Sequence, residues 1–206
     1  MATHLVIGDP HCTPKASNDR FLWAGKLAHD LKPNTIVCMG DFASMDSLSS
    51  YDKGKKSFEG RTYKADVRAV HKGMEALLGP LHKFQEKQRK LKKKVYKPRM
   101  ILTLGNHEDR ITRAVEYDRK LEDLISIEDL NYEQYGWEVY DFLDVVVVDG
   151  EVLPAPEACA LVPLLLAALL LVAAVDGVDG DALVGNFLSQ SLGKSMHARL
   201  GCRIIC

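Results

Sequence analysis

The sequence predicts an α/β fold, on three observations. Short apolar runs alternate with stretches whose apolar residues recur at helical spacing. Three of the runs, His4–Gly8, Thr35–Met39 and 100–104, lead straight into Gly followed by a polar residue or end in one. Their order, strand then helix then strand, argues for a sheet that is mostly parallel in its first half.

The elements follow in order. His4–Gly8 is a strand that breaks at Gly8-Asp9-Pro10. Asn18 or Asp19 caps a helix with Leu22, Trp23, Leu27 and Leu31 on its apolar face, stopped by Lys32-Pro33-Asn34. Thr35–Met39 is the second strand, followed by Gly40-Asp41 and a polar loop over 44–62. A long helix is predicted over 64–93, from Val67, Val70, Met74, Leu77, Leu78, Leu81 and Phe84, with a kink at Gly79-Pro80. The third strand, 100–104, ends at Gly105-Asn106, and a helix to about residue 124 follows. Two further strands are expected at 137–142 and 145–148, the second fully buried.

Composition divides the chain near Gly150. Only three of the 27 Lys and Arg residues, Lys194, Arg199 and Arg203, lie beyond it, with one aromatic, Phe187. The expected division is therefore 1–150 as the core and 151–206 as an atypical apolar tail. In the tail, 158–175 is uncharged and rich in Leu, Ala and Val, interrupted by Pro163. Its length sits at the threshold of a membrane span, but basic flanks and an aromatic belt are missing. Five cysteines at irregular spacing fit neither a disulfide framework nor a zinc ribbon, which favours a reducing, cytoplasmic setting, with membrane association through 158–175 as the alternative. The N-terminus carries no signal-peptide pattern. A net charge of -1 argues against a dedicated nucleic-acid coat protein.

Gly8-Asp9-Pro10-His11, Gly40-Asp41 and Gly105-Asn106-His107-Glu108 all fall at the carboxyl ends of predicted strands. In open α/β sheets that rim is where ligands bind. Asp9 and His11 follow one strand closely enough to face one ion. Asp41 brings a carboxylate with two oxygens, and Asn106 a neutral amide oxygen. Oxygen and imidazole donors without thiolate suit Mn²⁺, Fe, Zn²⁺ or Mg²⁺. Two such ions can clamp a phosphate and activate water. His107 is placed to act as a general acid on a leaving oxygen, with Glu108 or Asp41 as the carboxylate that orients it.

These three motifs, in this order, resemble the calcineurin-like metallophosphoesterase superfamily. Its pattern is Asp-x-His, Gly-Asp and Gly-Asn-His-Glu or Gly-Asn-His-Asp, matched here by Asp9-Pro10-His11, Gly40-Asp41 and Gly105-Asn106-His107-Glu108. The resemblance implies a layered α/β/β/α sandwich and metal-dependent hydrolysis of phosphomonoesters or phosphodiesters. It implies two divalent ions, Mn²⁺ preferred, with Asp9 and His11 on the first, Asp41 between both and Asn106 on the second. It makes His107 the catalytic histidine, with Arg110 near a phosphate oxygen.

The resemblance covers residues 1–149. The family pattern continues with a lone His and then Gly-His-x-His, whereas this chain has one histidine after His107, His197, and no Gly-His-x-His. The second ion is thus expected to bind weakly, and the second sheet to be incomplete. Three readings of the tail stand side by side: a shifted reading frame, a genuine membrane-associated end, or ligands supplied by a partner chain.

Each candidate also has a plainer reading. Asp9 and Asp41 suit turns, Asn106 suits a helix cap, and Arg110 suits a solvated helix face. His29, His71 and His82 read as surface residues, His4 as structural and Cys12 as a small hydrophobe. The Lys-rich stretch 83–97 reads first as a solvated helix end and second as a nucleic-acid contact, which would make the enzyme nuclease-like. A non-catalytic metal- or phosphate-binding protein on the same scaffold is the other alternative.

Overall fold

The computed structural model describes residues 2–52, 54–148, 151–153 and 203–205. The 158–175 run and His197 lie outside them. Among the described residues no helix is long and apolar enough to cross a membrane.

The main sheet holds β1 (His4–Gly8), β2 (Thr35–Met39), β3 (Arg99–Thr103), β4 (Glu138–Tyr140) and β7 (Arg203–Ile205). Its order is β4-β3-β2-β1-β7, and every pairing is parallel. Parallel strands have to be joined by crossovers. Here they are α1 (Asp19–Leu31) between β1 and β2 and α2 (Tyr63–Lys90) between β2 and β3. The same polarity brings the ends of β1, β2 and β3 to one rim, with Gly8, Met39 and Thr103 as their last residues.

Alternation along the strands builds two cores. Leu5, Ile7, Ile36, Cys38 and Leu102 pack with Phe21, Ala28, Val70, Met74 and Leu78 of the helices. Val6, Val37 and Ile101, on the opposite face, pack with Val146 and Val148. Those two valines belong to β5 (Val146–Val148), which pairs antiparallel with β6 (Glu151–Leu153). A second sheet therefore covers the other face of the first, and among the described residues it has two strands.

The details correct several expectations. The buried face of α1 is Phe21, Ala24, Gly25 and Ala28, while Trp23 is 66% exposed. Small residues are chosen because the helices touch: a Cβ on Gly25 would stand 2.0 Å from the carbonyl oxygen of Leu77 on α2. Helix α2 is the single long helix expected, with Pro80 inside it. Helix α3 (Asp109–Tyr117) ends well short of residue 124. Asp118 turns extended there, and its side chain caps Lys120 instead of continuing the helix. Strand β5 is not buried throughout: Val147, between two buried valines, points outward, as a two-stranded sheet with one covered face requires.

Candidate metal centre

Loop one follows β1, loop two follows β2 and loop three follows β3. The first two continue the pairing of their strands past the sheet. The N–H groups of His11 and Cys12 donate to the carbonyls of Asp41 and Phe42 at 2.9 and 2.6 Å, and the N–H of Ser44 donates back to Cys12 at 3.0 Å. Asp9, His11 and Asp41 all take a left-handed backbone, φ 48°. For residues with a side chain that conformation costs about 1 kcal/mol each. Three such residues in two facing loops mark a place where geometry is held against local preference.

Loop three is joined to loop two by Glu108, whose side chain is fully buried. Its carboxylate accepts from the N–H of Ala43 at 2.6 Å, the N–H of Gly105 at 3.0 Å and the hydroxyl of Tyr132 at 3.0 Å. Burial, outweighing the backbone donors, pushes its pKa up to about 7. Gly105 is required for the approach: a Cβ there would meet Asp41 Oδ1 at 2.1 Å. Asp41 Oδ1 in turn accepts from the N–H of His107 at 2.8 Å. Burial raises the Asp41 pKa, and the His107 N–H and the nearby imidazoles oppose that rise.

His11, Asp41 and His107 each offer one ligand atom, and these atoms lie within 4.8 Å of one another. The rings of His11 and His107 meet edge to face, 4.5 Å between centroids. Asp9 joins through His11, with Oδ1 2.9 Å from Nε2. Nδ1 of His11 is buried and has no hydrogen-bond partner among the described residues. Imidazole and carboxylate groups converging from separate loops fit a divalent cation that takes mixed nitrogen and oxygen ligands.

His107 is oriented differently from expectation. Glu108 serves the backbone and Tyr132, not the ring. Instead Nδ1 of His107 donates to the Ser44 carbonyl at 2.8 Å, and Arg110 Nη2 donates to Nε2 at 3.0 Å. Arg110 also donates to the Ser44 carbonyl at 2.8 Å, so it is a half-buried member of the site and not a solvated helix residue. Burial first, and then the Arg110 charge, lower the His107 pKa, with the Ser44 contact opposing. Asn106 stands exposed at the mouth of a cleft of about 860 Å³ that Arg110 also lines. Ser44 and Tyr132 were not legible as site residues, because one acts through its carbonyl and the other sits 24 residues from its partner.

The family model of calcineurin-like phosphoesterases matches residues 3–160. The chain belongs to the calcineurin-like phosphoesterase family. No individual curated protein matches it. The family match runs past the change in composition and takes in β5 and β6, the hairpin of the second sheet. The loops that carry Asp9, His11, Asp41, Asn106 and His107 stand on the rim where the parallel strands β1, β2 and β3 end.

Proposed function

We propose that the chain hydrolyses phosphate esters at the rim formed by loops one to three, using divalent ions held by Asp9, His11, Asp41 and Asn106. The observation that carries this reading is that two of these groups, on His11 and Asp41, meet within 4.8 Å of each other and of His107, the candidate proton donor, from three loops distant in sequence. The chemistry such ions supply is polarisation of a phosphoryl oxygen and activation of water. Asp41 stands centrally, its Oδ1 fixed by the His107 N–H and the rest of the carboxylate left for cations. Asn106 and Arg110 face the cleft, where an amide oxygen and a guanidinium suit a cation and a phosphate oxygen in turn.

His107 is the proton donor to the leaving oxygen. Its Nδ1–H is engaged by Ser44, so the transferred proton belongs at Nε2, the atom that faces Arg110. An arriving phosphate dianion draws the guanidinium off Nε2 and favours the protonated ring.

Hydrolysis of an aryl phosphate by the full chain with added Mn²⁺ tests the proposal. His107→Ala is expected to lower kcat by about 10²–10⁴-fold, the usual contribution of general acid catalysis. Mn²⁺ binding with no turnover by the unsubstituted chain would favour the non-catalytic reading.

A further inference from the structure

The cleft that begins at Asn106 extends along one stripe of α3. Arg110, Arg113 and Tyr117 recur at intervals of three and four residues, so they share a helix face, and all three line the cleft. From Arg110 to Tyr117 the rise is about 10 Å, at about 1.5 Å per residue. Tyr51 lines the same space from the loop after β2.

Tyr117 and Tyr51 are the two most exposed of the large apolar or aromatic side chains among the described residues, at 94% and 84%. An aromatic ring left in water costs hydrophobic free energy, and both such rings border one cleft. The chain next to Tyr51 is tied down. Its neighbour Asp52 pairs with Arg61 at 2.8 Å and Lys55 at 2.9 Å, and Arg61 donates to the Asp46 carbonyl at 3.1 Å. A pinned loop presenting an exposed ring is organised for stacking before any ligand arrives. Arg113, tied to Asp109 and to the Asn106 carbonyl, adds a guanidinium plane between the phosphate end and the tyrosines.

We propose that this cleft is the leaving-group site, and that it selects phosphate esters whose alcohol carries a planar aromatic ring, with the phosphate at Asn106 and Arg110 and the ring against Tyr117 and Tyr51. The proposal rests on the phosphoesterase reading above. A nucleoside and a simple aryl alcohol share the required chemistry.

Matched substrates separate ring recognition from intrinsic reactivity. The full chain with Mn²⁺ is assayed on a nucleoside 5′-monophosphate against ribose 5-phosphate, and on 2-phenylethyl phosphate against ethyl phosphate. Within each pair the leaving alkoxides are alike, so the ratio of kcat/KM reports the ring. A preference of about tenfold or more is expected in at least one pair, as base–aromatic stacking supplies. Preference in the first pair alone identifies a nucleobase, and in both pairs any aryl ring. Tyr117→Ala and Tyr51→Ala should each bring the ratio toward one, and Tyr117→Phe should keep it. Calorimetric titration of the same compounds provides a readout without turnover. Ring-selective binding that depends on the tyrosines, with no hydrolysis, would sink the enzymatic reading and keep the cleft. Ratios near one in both pairs, or a preference that the alanine variants leave intact, would overturn the cleft proposal.

Discussion

The two rims of the parallel sheet spend their charged residues differently. At the carboxyl rim Asp9, His11 and Asp41 hold left-handed backbones, and Glu108 is buried at the junction of two loops. At the amino rim Lys32, Lys83, Lys87 and Lys93 border an open groove beside Phe84, with Lys32 Nζ 5.1 Å from the ring centroid. Left-handed backbone occurs at both rims, since Lys32 ends α1 with φ 48°; what sets the first rim apart is desolvation, with Glu108 buried and Asp41 half-buried, while Lys83, Lys87 and Lys93 at the second stay exposed near a helix end, where the helix dipole favours cations. The 28 residues of α2 span about 40 Å at about 1.5 Å each, so the lysines sit far from the candidate centre. Burial of polar side chains, more than charge density, marks where the candidate site is organised.

Four substitutions sharpen the contrast. Glu108→Ala strands three buried donors, on Ala43, Gly105 and Tyr132. It should cost about 3–5 kcal/mol, since each unsatisfied buried group costs about 1–3 kcal/mol and neighbours share relaxation. Urea denaturation reads it, and a loss below about 1 kcal/mol would show that the junction is not held this way. Gly105→Ala drives a methyl into Asp41. About 2 kcal/mol of stability should go, together with at least about tenfold in Mn²⁺ affinity. Gly25→Ala meets Leu77 on α2 and should cost about 1–2 kcal/mol, less what helix propensity returns, with Mn²⁺ affinity kept. Lys87→Gln at the amino rim should change stability by less than about 0.5 kcal/mol. Equal effects at both rims on thermal unfolding and metal titration would break the comparison.

The strand-end motifs were legible because they are local: an apolar run of five residues and the Gly-containing turn beside it are read in one glance along the chain. His11, Asp41 and His107 come together simply because parallel strands end on one side. What was not legible depends on partners. Hydrophobicity alone placed Leu22 and Trp23 inward, whereas contact with α2 selected Ala24, Gly25 and Ala28. The run of valines at 145–148 looks continuous, and only the covering of one face makes Val147 an outward residue. The role of Glu108 could not be read because its partner Ala43 is 65 residues away.

The most direct test is Mn²⁺ titration of the full chain by calorimetry, with Asp41→Asn beside the unsubstituted protein. Asn keeps the shape of the side chain and its acceptor for the His107 N–H, and removes the charge. The account predicts that the unsubstituted chain binds Mn²⁺ and that Asp41→Asn weakens binding at least about tenfold to 100-fold with the melting temperature retained. Equal affinity in the two proteins would contradict it.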